Sequence, residues 1–102
     1  MSVRLEADER DQSLRELVEN GWTLNDVQDT INKTFKFDDF NSAFGFMTRV
    51  ALLAEKLKHH PEWTNIYNKV DVKLTTHDLK ALSKSDVQMA LFMDHIYVTI
   101  GD

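Results

Sequence analysis

Between Phe40 and Lys58 apolar residues recur at helical spacing, and Pro61 forbids the helix from continuing. Asp38 or Asp39 is placed to cap its start. At roughly 100° per residue, Leu53, Phe46, Leu57, Val50, Ala43, Ala54, Met47, Phe40, Ala51 and Phe44 fill an arc of about 180°. Polar residues cover most of the remainder, with Leu52 alone among them. Packing on one sheet requires an apolar stripe of only about 100°. The excess predicts that this helix covers a second surface, belonging either to another subunit or to a terminal helix; periodicity leaves both open.

The flanking segments change period. Asp8 to Val18 reads as a short helix with Leu14, Leu17 and Val18 on one face, closed by Asn20-Gly21. Trp22 and Leu24 alternate, and Ile31, Lys33, Phe35 and Phe37 share one parity against Thr30, Asn32, Thr34 and Lys36. That is a hairpin whose apolar face is interrupted by Lys33. After Pro61, Thr64–Ile66, a turn at Tyr67-Asn68-Lys69, and Val70, Val72 and Leu74 alternating with polar residues make a second hairpin. The last helix starts at Ser83, which puts Asp86 in its first turn, or at Ser85, which pairs with Gln88 as a capping box. Two one-faced hairpins interleaved with three helices predict an α+β fold, one antiparallel sheet under one helical layer, in a single domain over residues 1–102.

Composition narrows the functions available. Seventeen acidic against twelve basic residues give a formal charge of −5, so no whole-domain positive field for nucleic acid is expected. No apolar run approaches a membrane span, and the acidic start is unlike a signal peptide. Zero cysteines exclude disulfides and thiolate metal sites. With glycine only at positions 21, 45 and 101, there is no phosphate-binding loop.

Chemistry therefore rests on histidine. His59-His60-Pro61 follows the long helix, where the terminal dipole favours imidazolium, and Pro61 forces His60 into extended backbone. His77 ends the Val70–Thr76 segment, and side-by-side hairpins would bring all three to one rim. Solvated surface histidines, a metal site and general acid–base catalysis each fit these residues. Adjacent histidines without an i, i+4 partner or a cysteine make metal chelation the poorer chemical fit. Imidazole, whose ordinary pKa lies nearest neutrality, suits proton transfer.

The runs Phe40-Asn41-x-Ala43-Phe44-Gly45-Phe46-Met47-Thr48-Arg49-Val50-Ala51 and Glu55-Lys56-Leu57-x-His59-His60-Pro61-Glu62-Trp63, with Gly21-Trp22, Thr76-His77, Leu82-Ser83 and Asp86, closely resemble the pterin-4a-carbinolamine dehydratase family. In animals that family is also known as the dimerisation cofactor of a homeodomain transcription factor. The resemblance implies a four-stranded antiparallel sheet with three helices on one face. It also implies a homotetramer, a dimer of dimers, whose long central helices form a four-helix bundle. The activity implied is loss of water from 4a-hydroxytetrahydrobiopterin to give quinonoid dihydropterin, in tetrahydrobiopterin recycling, with neither cofactor nor metal.

Carried over by resemblance, His59 would serve as general acid toward the 4a-hydroxyl and His77 as acceptor of a ring proton, two roles open to exchange between them, with His60 as support. Glu55 would orient an imidazole, and Asp86 would bond the pterin or His77. Backbone at Lys58–His60 and Thr75–His77, including Thr76, would meet the pterin's amide edge, with Trp22 and Pro61 walling the ring. The alternative is an interaction module, docking a transcription factor's dimerisation helix on the surface that otherwise makes the tetramer. Neither role needs direct nucleic-acid or membrane contact, and a cytoplasmic location with a nuclear pool left open is expected.

Overall fold

The computed structural model describes residues 3–101, which form α1 (Ala7–Glu19), β1 (Thr23–Asn25), β2 (Thr30–Lys36), α2 (Phe40–Leu57), β3 (Glu62–Ile66), β4 (Lys69–Leu74) and α3 (Lys84–Gly101). The strands make one antiparallel sheet in the order β1-β2-β4-β3. Its register fixes the faces. Ile31 opposes Leu74, Lys33 opposes Val72 and Phe35 opposes Val70, so the buried apolar residues of β2 and β4 share one side. Asn32, Thr34 and Lys36 point to the other side and are exposed. All three helices pack on the apolar face, giving the expected α+β sandwich.

Capping residues set the helix limits. Asp39 accepts the Ser42 N–H at 2.8 Å and starts α2. Ser83 rather than Ser85 precedes α3: its N–H donates to the Asp86 carboxylate at 2.9 Å, the reciprocal bond of a capping box with Asp in place of Glu. Gly21 follows α1 with φ 105°, a value that glycine adopts at little steric cost.

Two apolar readings need correction. Val18 is 49 % exposed, because the core-facing side of α1 runs through Leu14 and Leu17 and leaves Val18 a third of a turn away. The wide arc of α2 divides into two parts. Ala43, Phe46, Val50 and Ala54 lie in the core, while Phe40, Phe44 and Leu52 remain exposed although α3 packs beside α2. Lys33 is accommodated on the apolar face by the Asp94 carboxylate and the Asn20 carbonyl, each 2.7 Å from Nζ.

Candidate active site

The end of α2 aims His59. Lys58 takes a left-handed conformation (φ 55°); its N–H reaches the Glu55 carbonyl and the His59 N–H reaches back to Ala54 at 3.1 Å. These are the paired bonds of a Schellman motif, which turns the chain sharply enough to bring the His59 ring beneath the helical layer. Pro61 then directs the chain into β3.

The second hairpin supplies the opposite wall. Glu62 opposes Lys73 and Ile66 opposes Lys69, so paired residue numbers are equidistant from the Tyr67-Asn68 turn. Continued outward, that register sets His60, His59 and Lys58 opposite Thr75, Thr76 and His77. Thr76 and Ala81 exchange backbone hydrogen bonds at 3.1 and 3.3 Å, which closes the intervening His77–Lys80 loop into a tight reverse turn. Between the two chain segments lies a cavity of about 370 Å³, walled by Lys58, His59, His60, Pro61, Glu62, Thr75, Thr76, His77 and Asp78. A volume of this size suits a small heterocycle.

The three imidazoles occupy different environments. His59 is buried, with Nε2 2.5 Å from Asp86 Oδ1; the Asp86 side chain is completely shielded from solvent. A carboxylate can only accept, so His59 donates from Nε2 and its neutral tautomer leaves Nδ1 unprotonated. Among the described residues no buried side-chain nitrogen or oxygen lacks a partner, and Nδ1 makes no protein hydrogen bond; it is therefore the nitrogen open to the cavity. His60 and His77 are solvent-facing on the rim, each close to a carboxylate, Glu55 at 3.6 Å and Glu62 at 3.7 Å. Among the described residues no group of three or more His, Cys, Asp or Glu is arranged to hold a metal ion.

Comparison with known proteins shows the family. A family model described as pterin 4 alpha carbinolamine dehydratase matches residues 3–96. A Drosophila melanogaster protein named pterin-4-alpha-carbinolamine dehydratase is 55 % identical over 94 residues, covering 92 % of this chain. The chain belongs to the pterin-4a-carbinolamine dehydratase family. It spans about half the length of that Drosophila relative, 49 %. A solved structure from Brucella melitensis, described as a transcriptional coactivator/pterin dehydratase, is 45 % identical with a TM-score of 0.80, covering 97 % of this chain and 99 % of its own.

Within this family fold, Trp22 and Asp86 sit away from the cavity, and Glu55 stands beside an imidazole, that of His60. Trp22 is in the core, 2 % exposed, with its indole N–H 2.9 Å from Asp94 and its ring edge-on to Phe35; it does not wall the cavity. Asp86 touches neither the cavity nor His77, because the α3 N-terminus carries it behind His59. Glu55 stands outside the cavity beside His60. Conversely, Glu62 and Asp78 line the cavity without having been singled out from the sequence. The strand register is the signal for Glu62: it pairs with Lys73, four residues before His77.

Proposed function

We propose that this chain, acting as one domain, removes water from 4a-hydroxytetrahydrobiopterin, the pterin-4a-carbinolamine, to give quinonoid dihydropterin in tetrahydrobiopterin recycling. The observation that carries this reading is the meeting of His59, His60 and His77 around one cavity, in a chain of this family. The same activity in the Drosophila relative's name supports it.

Elimination needs two proton transfers. The C4a–O bond breaks as the departing hydroxide takes up a proton and leaves as water. A ring N–H then gives up its proton to complete the new double bond. One protonated and one neutral imidazole, facing the same ring, supply both and end with the protons exchanged. Asp86 keeps the His59 Nε2 proton in place, so the proton that comes and goes is the one on Nδ1. In this reading His59 serves the 4a-hydroxyl, His77 accepts the ring proton, and His60 supports the developing charge. Backbone at Lys58–His60 and Thr75–His77, together with Pro61, holds the pterin edge and face.

Stopped-flow dehydration of synthetic carbinolamine tests the assignment. Positioned acid–base groups contribute roughly 10²- to 10⁴-fold, and losses in that range are expected for His59→Ala and His77→Ala. Full turnover by either variant removes that residue's role, and an inactive wild-type chain removes the activity.

The exposed Phe40, Phe44 and Leu52 on α2 support a second reading that can coexist with the first. In it, these residues join copies of the chain into a homotetramer, or receive the dimerisation helix of a homeodomain transcription factor. The name of the Brucella relative includes a coactivator role. An inactive chain that binds such a helix would favour the interaction role alone.

A further inference from the structure

Thr76 belongs to the cavity wall, yet it is buried, 2 % exposed, and its hydroxyl bonds to buried groups. Its hydroxyl donates to Asp86 Oδ2 at 2.6 Å. With that proton committed, the Ser83 hydroxyl donates either to Thr76, 2.6 Å away, or over 3.3 Å to the same Asp86 oxygen, and the shorter path runs through Thr76. Ser83 further donates its backbone N–H to Asp86 Oδ2 at 2.9 Å. The result is a directed chain running from the Ser83 hydroxyl through Thr76 to one carboxylate oxygen, while the other oxygen receives His59. Every hydroxyl in it is buried, so water cannot substitute for a missing link without a cavity being opened first.

We propose that Thr76 is a positioning residue for the dehydration, acting through Asp86 to fix the plane and tautomer of the His59 ring. This rests on the reading of the cavity as a dehydratase site. The physical reason is that Oδ2 is fixed by Thr76 at 2.6 Å together with Ser83, and losing the shortest of these bonds widens the carboxylate's rotation about its Cβ–Cγ bond. The Ser83 N–H restrains that rotation from the helix end, and Thr76 restrains it from the strand end. Losing the second restraint lets Asp86 swing and the ring follow, displacing Nδ1 from the reacting oxygen; small misplacements of a reacting group are costly.

The test compares Thr76→Val, which keeps the shape and removes the hydroxyl, with Thr76→Ser, which restores it. The expected result is a fall in kcat of about ten- to a hundred-fold for Thr76→Val at nearly unchanged KM, with recovery in Thr76→Ser. The second readout is the downfield proton resonance of His59 Nε2–H, which reports its bond to Asp86 without any turnover. It should persist in wild type and Thr76→Ser and be lost or moved in Thr76→Val. Wild-type kcat together with an unchanged resonance in Thr76→Val overturns the inference. So does an equal loss in both variants, which would reveal a merely structural threonine. If Thr76→Val does not fold, Ser83→Ala removes the hydroxyl that orders Thr76 and should lower kcat several-fold with a shifted resonance; no change in either overturns it. Should the wild-type chain prove inactive, the dehydratase reading fails while the resonance still decides the role of Thr76.

Discussion

Asp29 is a residue whose charge state couples the stability of the fold to pH. It lies at φ 56° in the turn between β1 and β2. Its carboxylate takes both arms of the Arg10 guanidinium, at 2.5 and 3.2 Å, and the Leu82 N–H at 2.8 Å; its carbonyl accepts the Thr75 hydroxyl at 3.1 Å. Burial alone would push this carboxyl up, but the Arg10 hydrogen bond, the Leu82 N–H and the Arg10 charge together hold it below the ordinary aspartate value. A depressed folded-state pKa adds stability above the unfolded value, and that stability is lost as pH falls through the folded value. Stability should therefore drop as the pH goes below about 4. Asp29→Asn should lose about 1–2 kcal/mol at neutral pH and show a flatter acid dependence in urea unfolding at pH 7 and 3. An acid limb as steep as that of the wild type would reject this account. At this scale the sequence was informative where chemistry is local: His59 and His60 are pinned by a helix stop and a proline. Resemblance alone sets Trp22 at the cavity; its alternation with Leu24 marks a packed residue, as found. Its partner Asp94, distant in the chain, is announced by no local pattern.

Asp94 also shows how one side chain joins whole elements. It receives Lys33 of β2 at 2.7 Å, the Trp22 indole before β1 at 2.9 Å and the Asn20 amide after α1 at 3.4 Å, and so fastens α3 across the layer. The Lys33 and Asp94 side chains are each 14 % exposed, so an orphaned charge here is costly. Asp94→Ala, which strands the ammonium beside the Trp22 and Phe35 rings, should cost about 3 kcal/mol. Lys33→Met leaves Asp94 with the indole and amide donors and should therefore cost less than Asp94→Ala. Guanidinium unfolding of the two variants checks the asymmetry, and equal losses would contradict it. The same residue explains why α3 was the least legible helix: a carboxylate recruited to the inner side disturbs the apolar stripe that periodicity relies on. The hairpins were legible because alternation on a one-faced sheet is a local signal. Ser83 and Ser85 both fitted a helix start, and what decides between them is the Asp86 carboxylate folding back onto the Ser83 N–H.

At the scale of the whole molecule, α2 leaves an apolar ridge exposed. Phe40, Phe44, Thr48 and Leu52 are spaced four apart and form one ridge along the helix, with the rings of Phe40 and Phe44 5.7 Å apart. Phe40, Phe44 and Leu52 are 48, 55 and 69 % exposed, whereas the core-facing half of the arc is buried. The width of the arc is legible in the residue pattern but its division is not, since both halves carry the same residue types and only the sheet's position separates them. Such a ridge can interdigitate with its own copy on a second helix, which is the geometry of the proposed tetramer. Phe44→Glu combined with Leu52→Glu would place charges at that contact, where like copies repel and lose solvation together. Light scattering should then report a smaller particle for this variant than for the wild type. The described cavity is walled by one chain and lies beyond the last turn of α2, so turnover per subunit should stay close to wild type. A monomeric wild-type chain, or an unchanged particle mass in the variant, would show that this ridge is not what joins the copies. Loss of turnover in a folded, dissociated variant would instead show that assembly shapes the histidine cavity.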